Sequence, residues 1–172
     1  SIENDGTGAA ASLEHICSTI ISEGGMEEVG RQVYVSTGGV HIDANVADTI
    51  YALGGVRLKS THLDSTVTLS SLSLLAESND NYEWILLMNP TVAGTFTFSN
   101  VSNSAIQRAL GATANTVTGG YPIAGGYAGS NNAITSAPNP SLLIGSSISG
   151  TADRLVLCVR PLSSNADIQG SM

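Results

Sequence analysis

The sequence predicts an all-β chain: an antiparallel β-sandwich, jelly-roll-like, of about eight strands with one long glycine-rich loop. Three observations predict it. Apolar residues recur at every second position in several short runs, which is the strand period. Turn signals such as Gly-Gly and Asn-Pro separate those runs. The composition favours β-branched and turn-forming residues, with 19 Gly among 172 residues, over the Ala, Glu, Lys, Leu and Arg of helical bundles.

Taken in order, residues 1–10 read as a loose N-terminal lead-in. In residues 13–22, Leu13, Ile16, Cys17, Ile20 and Ile21 fit helical spacing. The second half is β-branched and runs into Glu23-Gly24-Gly25, a turn signal, so a strand is expected. Val33 and Val35 alternate with Gln32, Tyr34 and Ser36 until Gly38-Gly39 breaks the run. Val56 and Leu58 alternate with Arg57 and Lys59, a half-buried strand. Over 66–77, Val67 and Leu69 sit on odd positions but Leu72, Leu74 and Ala76 on even ones. A period of two changes parity only through an extra residue, so Ser70-Ser71 is expected as a β-bulge. Ser78 to Asn81 is a turn.

Tyr82, Trp84, Leu86 and Met88 then share one face, and Ile85 and Leu87 fill the other. Apolar residues on both faces mark a central strand, or one buried by a neighbouring subunit. These four are the candidate interface. Asn89-Pro90 ends the run, Phe96 and Phe98 alternate with Thr95 and Thr97, and 104–110 reads as a short helix or another strand. Residues 111–140, rich in Gly, Thr, Asn and Pro, read as the long loop. Leu155, Leu157 and Val159, alternating with Val156 and Cys158, form the last core strand, closed by Pro161.

The whole of 1–172 is expected to form a single sandwich domain. Because it opens on Ser1, the chain is expected to be a trimmed or ordered piece of something longer. The charge excludes several partners. Six basic residues against fourteen acidic ones give a net charge of −8, which cannot supply the basic stripe that nucleic acid requires. No apolar run approaches a membrane span, and an anionic membrane repels this surface.

Candidate chemistry is sparse. Cys17 and Cys158 read as two buried thiols, with a bridge between the first and last strands as the alternative. His41/Asp43 and His62/Asp64 each place a histidine and a carboxylate two residues apart, on one face of a strand. Each pair offers two metal ligands, but spacing fixes no third, so solvated polar residues are the simpler reading. His15 and Cys17 share the same spacing, but Cys17 sits in an apolar run that raises a thiol pKa. Gly145 to Gly150 lacks the spacing of a nucleophile elbow. The carboxylates Glu27 and Glu28 sit beside turns with no sign of burial, and Asp153/Arg154 suit a structural ion pair or a turn cap. No catalytic residue, cofactor or metal is therefore expected. Tyr121 and Tyr127, in the glycine-rich stretch 119–132, are the candidate ligand loop because tyrosine rings stack on sugars, although anchoring the loop is the simpler role.

Five stretches carry a resemblance: Leu13–Gly25 (LEHICSTIISEGG), Val56–Ser60 (VRLKS), Trp84–Asn100 (WILLMNPTVAGTFTFSN), Gly111–Gly120 (GATANTVTGG) and Gly150–Gly170 (GTADRLVLCVRPLSSNADIQG). Their order resembles virion structural proteins of tailed bacteriophages, chiefly of aquatic hosts. Members of that group tend to continue into a Trp-Arg-Glu ending, which is not present here, and tend to be basic where Asp64 stands. The resemblance implies a non-enzymatic virion component: a capsid decoration, neck or fibre-like appendage. It implies a homo-oligomer, with a trimer favoured, that packs on other virion proteins. The alternative is a receptor- or carbohydrate-binding head that meets a host-surface glycan.

Overall fold

The computed structural model describes residues 31–77, 81–129, 133–136, 143–163 and 166–172. The chain divides into two units, Ser1–Arg31 and Gln32–Met172, and the fold below is that of the second. The expected strand over 13–22 lies outside the described residues.

Among the described residues there are fourteen strands: β1 (Ile42–Ala44), β2 (Tyr51–Leu58), β3 (Val67–Thr68), β4 (Leu72–Ala76), β5 (Tyr82–Met88), β6 (Thr91–Val92) and β7 (Ser99–Asn100), then β8 (Ile106–Leu110), β9 (Val117–Thr118), β10 (Tyr121–Ala128), β11 (Ala133–Ser136), β12 (Leu143–Ile144), β13 (Arg154–Pro161) and β14 (Ala166–Ser171). Every pairing is antiparallel, and no helix occurs among the described residues. The all-β expectation therefore holds. The expected count of eight does not, because two-residue ladders such as β3–β12 and β6–β9 form in turn-rich segments that carry no readable period.

Two sheets carry the fold. One has six strands in the order β10-β5-β13-β2-β8-β7, and the other has four in the order β1-β14-β4-β11. Their facing sides share one core, the arrangement of a β-sandwich. Ile42, Leu72, Leu74 and Ile168 from the smaller sheet meet Leu53, Tyr82, Leu86 and Leu157 from the larger. Strand β13 is the most central element. Leu155, Leu157 and Val159 enter the shared core, while Val156 and Cys158 enter a second cluster on the outer face with Leu87 and Val117. Two-sided burial of this kind requires a continuous apolar run, which 155–159 supplies.

Several local expectations are corrected. The parity change at Ser70-Ser71 is a break and not a bulge, because β3 pairs with β12 whereas β4 pairs with β14 and β11. A true register shift occurs in β2, where Leu157 faces Gly54 but Cys158 faces Ala52. Of the two alternatives for 104–110, the strand is the one that forms, as β8. Residues 95–98 form no ladder; their alternation reports one-sided contact. Phe96 packs on the outer face and meets Phe98 edge-on at 5.5 Å, and the Arg57 guanidinium lies 4.4 Å from the centre of the Phe98 ring. Over 32–36 the backbone makes only a bridge, Ser36 to Ser171, beside paired bonds between Val35 and Met172.

The largest correction concerns 111–140. Expected as one loop, it contains β9, β10 and β11. Strand β10 forms despite its Gly and Pro because β5 offers it a free edge, and an edge tolerates Pro122 at a register irregularity between Pro122 and Ala124. Gly126 is needed there. A Cβ at that position would lie 2.8 Å from the Trp84 indole nitrogen.

Candidate functional site

The candidate interface is turned inward. Tyr82 and Leu86 are fully buried, Trp84 is nearly so and Met88 is half-buried, all within or against the core between the two sheets. The other sheet of the same chain covers this face, so no neighbouring subunit is needed to bury it. Tyr82 nevertheless carries a cost. Its hydroxyl is buried without a hydrogen-bond partner, and burial pushes its pKa up. Replacing Tyr82 with Phe is expected to hold or raise stability by up to about 1 kcal/mol, because it removes an unsatisfied polar group. A urea midpoint that drops for Tyr82→Phe would contradict this account.

The candidate ligand residues stand in the opposite situation. Tyr121 and Tyr127 are 74% and 71% exposed. They project from β10, the terminal strand of the six-stranded sheet among the described residues, and not from a loop. Ile123 between them is also exposed. Tyr127 lies opposite Glu83 in the ladder, and Glu83 lies opposite Arg160 on its other side. Arg160 donates from Nε to Glu83 Oε2 at 2.7 Å, so the charges beside Tyr127 neutralise each other. The edge is thus aromatic and apolar with little net charge.

The histidine pairs part company. His62 meets the Thr61 hydroxyl at 2.8 Å through Nδ1. His41, by contrast, stands among carboxylates. Its Nε2 is 3.1 Å from Asp43 Oδ1 and its Nδ1 is 3.3 Å from Glu77 Oε2. Strand pairing adds Asp167, directly across from Asp43. Sequence spacing could find only His41 and Asp43, since the other two residues arrive through long-range pairing.

The remaining candidates have structural roles. Cys158 is a free, fully buried thiol, and burial raises its pKa far above the usual thiol range, so it is inert as a nucleophile. Its Sγ donates to the Val156 carbonyl at 3.6 Å. Asp153 acts as part of a turn clasp: Asn89 Nδ2 donates to Asp153 Oδ1 at 2.7 Å, and the Arg154 N–H donates to Asn89 Oδ1 at 2.9 Å. In the 145–150 segment, Ser147 and Ser149 hydroxyls bond each other at 2.8 Å. His15, Cys17, Glu27 and Glu28 lie outside the described residues.

Sequence reasoning also missed Asn115, which is buried. Its Oδ1 accepts from the Ala112 N–H at 2.9 Å, and its Nδ2 donates to the carbonyls of Ala93 at 2.8 Å and Thr95 at 3.2 Å. One side chain thereby fastens 93–95 and 112–115 together over the outer face. No neighbouring residue in Gly-Ala-Thr-Ala-Asn signals it.

An all-β sandwich-like fold with an exposed aromatic edge strand is the class that these features define. Compared with protein-family models, curated proteins and solved structures, the chain matches none.

Proposed function

We propose that this chain is a non-enzymatic structural protein that works by packing against other subunits, with the β10 edge as its main contact. The observation that carries the reading is β10 itself. An edge strand offers free N–H and C=O groups to another chain, and monomeric proteins commonly blunt such edges with Lys or Pro. Here Pro122 and the register irregularity beside it blunt one end, but Tyr121, Ile123 and Tyr127 are exposed along the strand, no Lys is present, and residues 124–128 pair without a break. Tyrosine suits an interface because it offers a large rigid area with a polar tip.

The sequence resemblance extends the proposal to a virion component of a tailed bacteriophage: a jelly-roll-like capsid decoration, neck or fibre-like appendage. A head-to-tail contact from β10 to another edge would close a ring, and a trimer is the favoured ring. The test replaces both Tyr121 and Tyr127 with Lys and compares native masses by light scattering. Wild type is expected to hold a multiple of 17.5 kDa on dilution, and the double variant to fall to the single-chain mass. A wild-type protein that is already a monodisperse single chain would overturn the proposal.

The exposure of the same two rings favours a second reading, a receptor- or carbohydrate-binding head. On that reading the correct host-surface glycan raises the melting temperature by mass action. The Tyr121→Ala/Tyr127→Ala variant loses that gain.

A further inference from the structure

The solvent face of the four-stranded sheet carries a group that neither assembly nor sugar binding uses. Asp43 in β1 lies directly opposite Asp167 in β14. Glu77 follows β4, and its N–H donates to the Asp167 carbonyl at 2.8 Å. The alternate residues Ile42, Ala44, Ala76, Ala166 and Ile168 are buried in the core, so the three carboxylates line up across adjacent strands on the other face. Like charges directly across a ladder repel. His41, two residues before Asp43, joins the row on the same face.

The imidazole ties this row of carboxylates together. Both ring nitrogens face carboxylate oxygens, at 3.1 Å for Nε2 and 3.3 Å for Nδ1. A neutral imidazole has one N–H and one lone pair. It can therefore donate to only one of these carboxylates. The other contact is attractive only when the ring carries a second proton or when a metal ion bridges nitrogen and oxygen.

We propose that His41 Nε2, Asp43 and Asp167 form a divalent-cation site of the Zn²⁺ type, with Glu77 as the positioning residue that accepts the Nδ1 proton. One ligand atom from each of the three lies within 4.8 Å of the others. Two ligands each about 2.1 Å from one ion stand roughly 3–4 Å apart, and the 3.1 Å between Nε2 and Asp43 Oδ1 fits such a pair. A carboxylate behind the second ring nitrogen fixes the tautomer and strengthens the ligand. One nitrogen and two carboxylates select a borderline first-row ion over Ca²⁺, which prefers six or more oxygens. Water, or a carboxylate from outside, would complete the shell.

The test titrates the full chain with ZnCl2 and, separately, CaCl2, reading heat and the side-chain NMR signals of His41. One equivalent of Zn²⁺ is expected to bind and shift the His41 imidazole nitrogens, with Ca²⁺ much weaker. His41→Gln and Asp167→Asn should each abolish the site, and Glu77→Gln should weaken it by about 10–100-fold. The proposal is overturned by an absence of saturable Zn²⁺ uptake. It is also overturned by uptake undiminished in the His41→Gln/Asp167→Asn double variant, or by Ca²⁺ binding as tight as Zn²⁺. If a variant fails to give a native amide spectrum, the wild-type imidazole shift decides. Native mass is read separately, so failure here leaves the assembly proposal standing.

Discussion

Replacing Leu157 with Ala is expected to lower the free energy of unfolding by about 2–5 kcal/mol, the range for truncating a buried leucine. Leu157 is 1% exposed at the centre of β13, between β5 and β2. It packs in the core that both sheets share, so the cavity would open where neither sheet can collapse without moving the other. For a domain of this size the loss is a large fraction of total stability. Urea unfolding should show a lower midpoint with an unchanged slope. A loss below about 1 kcal/mol would mean that Leu157 is not at a closed inter-sheet core.

Gly111→Ala is expected to cost a similar amount by the opposite mechanism. A Cβ at Gly111 would lie 1.8 Å from the Ala52 carbonyl oxygen and 2.7 Å from its carbon. The obstacle is backbone in β2, so no side-chain rotation relieves it. The Gly111 N–H also donates to the Leu53 carbonyl at 2.9 Å, a bond that any retreat would break. Overpacking and a broken buried hydrogen bond together are expected to cost about 2–5 kcal/mol. Gly119→Ala is the comparison. Its φ is +65° with nothing within 4 Å of the new Cβ, so only backbone conformation is strained, at about 1–2 kcal/mol. Equal losses in the two variants, measured by the same urea titration, would contradict the approach of 111 to β2.

The elements that the sequence made legible are those with apolar residues at a clear period. The end of β2 at Val56 and Leu58 is readable because burial on one face forces alternation, and β13 because burial on both faces forces an unbroken apolar run. Tyr82–Met88 was readable as a strand, but its period could not say whether the covering surface came from the same chain. That depends on Leu72, Leu74 and Ile168, which pack on it from the other sheet. Strand β10 was unreadable because only Ala124 and Ala128 turn a side chain into the core contact, and its ladder partner β5 supplies the hydrogen bonds. Strand β14 has a weak signature: Ala166, Ile168 and Gly170 alternate, but only Ile168 is large, and Gly170 is small because the sheets come close there. A Cβ at Gly170 would lie 2.7 Å from a Leu53 methyl carbon.

The same division applies to the site. His41 and Asp43 were visible as a pair because two residues on one strand face are a local relation. Asp167 and Glu77 join them only through the pairing of β1, β14 and β4, which no local pattern encodes. Tyr121 and Tyr127 were singled out for their residue type, and their exposure keeps them as candidates. Their exposure on a sheet edge does not suit the simpler role of anchoring a loop, and it is the observation on which the proposed contact strand rests.

Hydrogen exchange along β10 tests the central proposal most directly. In an antiparallel edge strand, about half of the amides bond the neighbouring strand and the rest point away from it. If β10 works by pairing with another subunit, the outward amides of wild-type protein exchange as slowly as those of β13, and exchange quickly once Tyr121 and Tyr127 are both Lys. If the outward β10 amides of wild type exchange at exposed-loop rates at every protein concentration, β10 is not a subunit contact and the account fails.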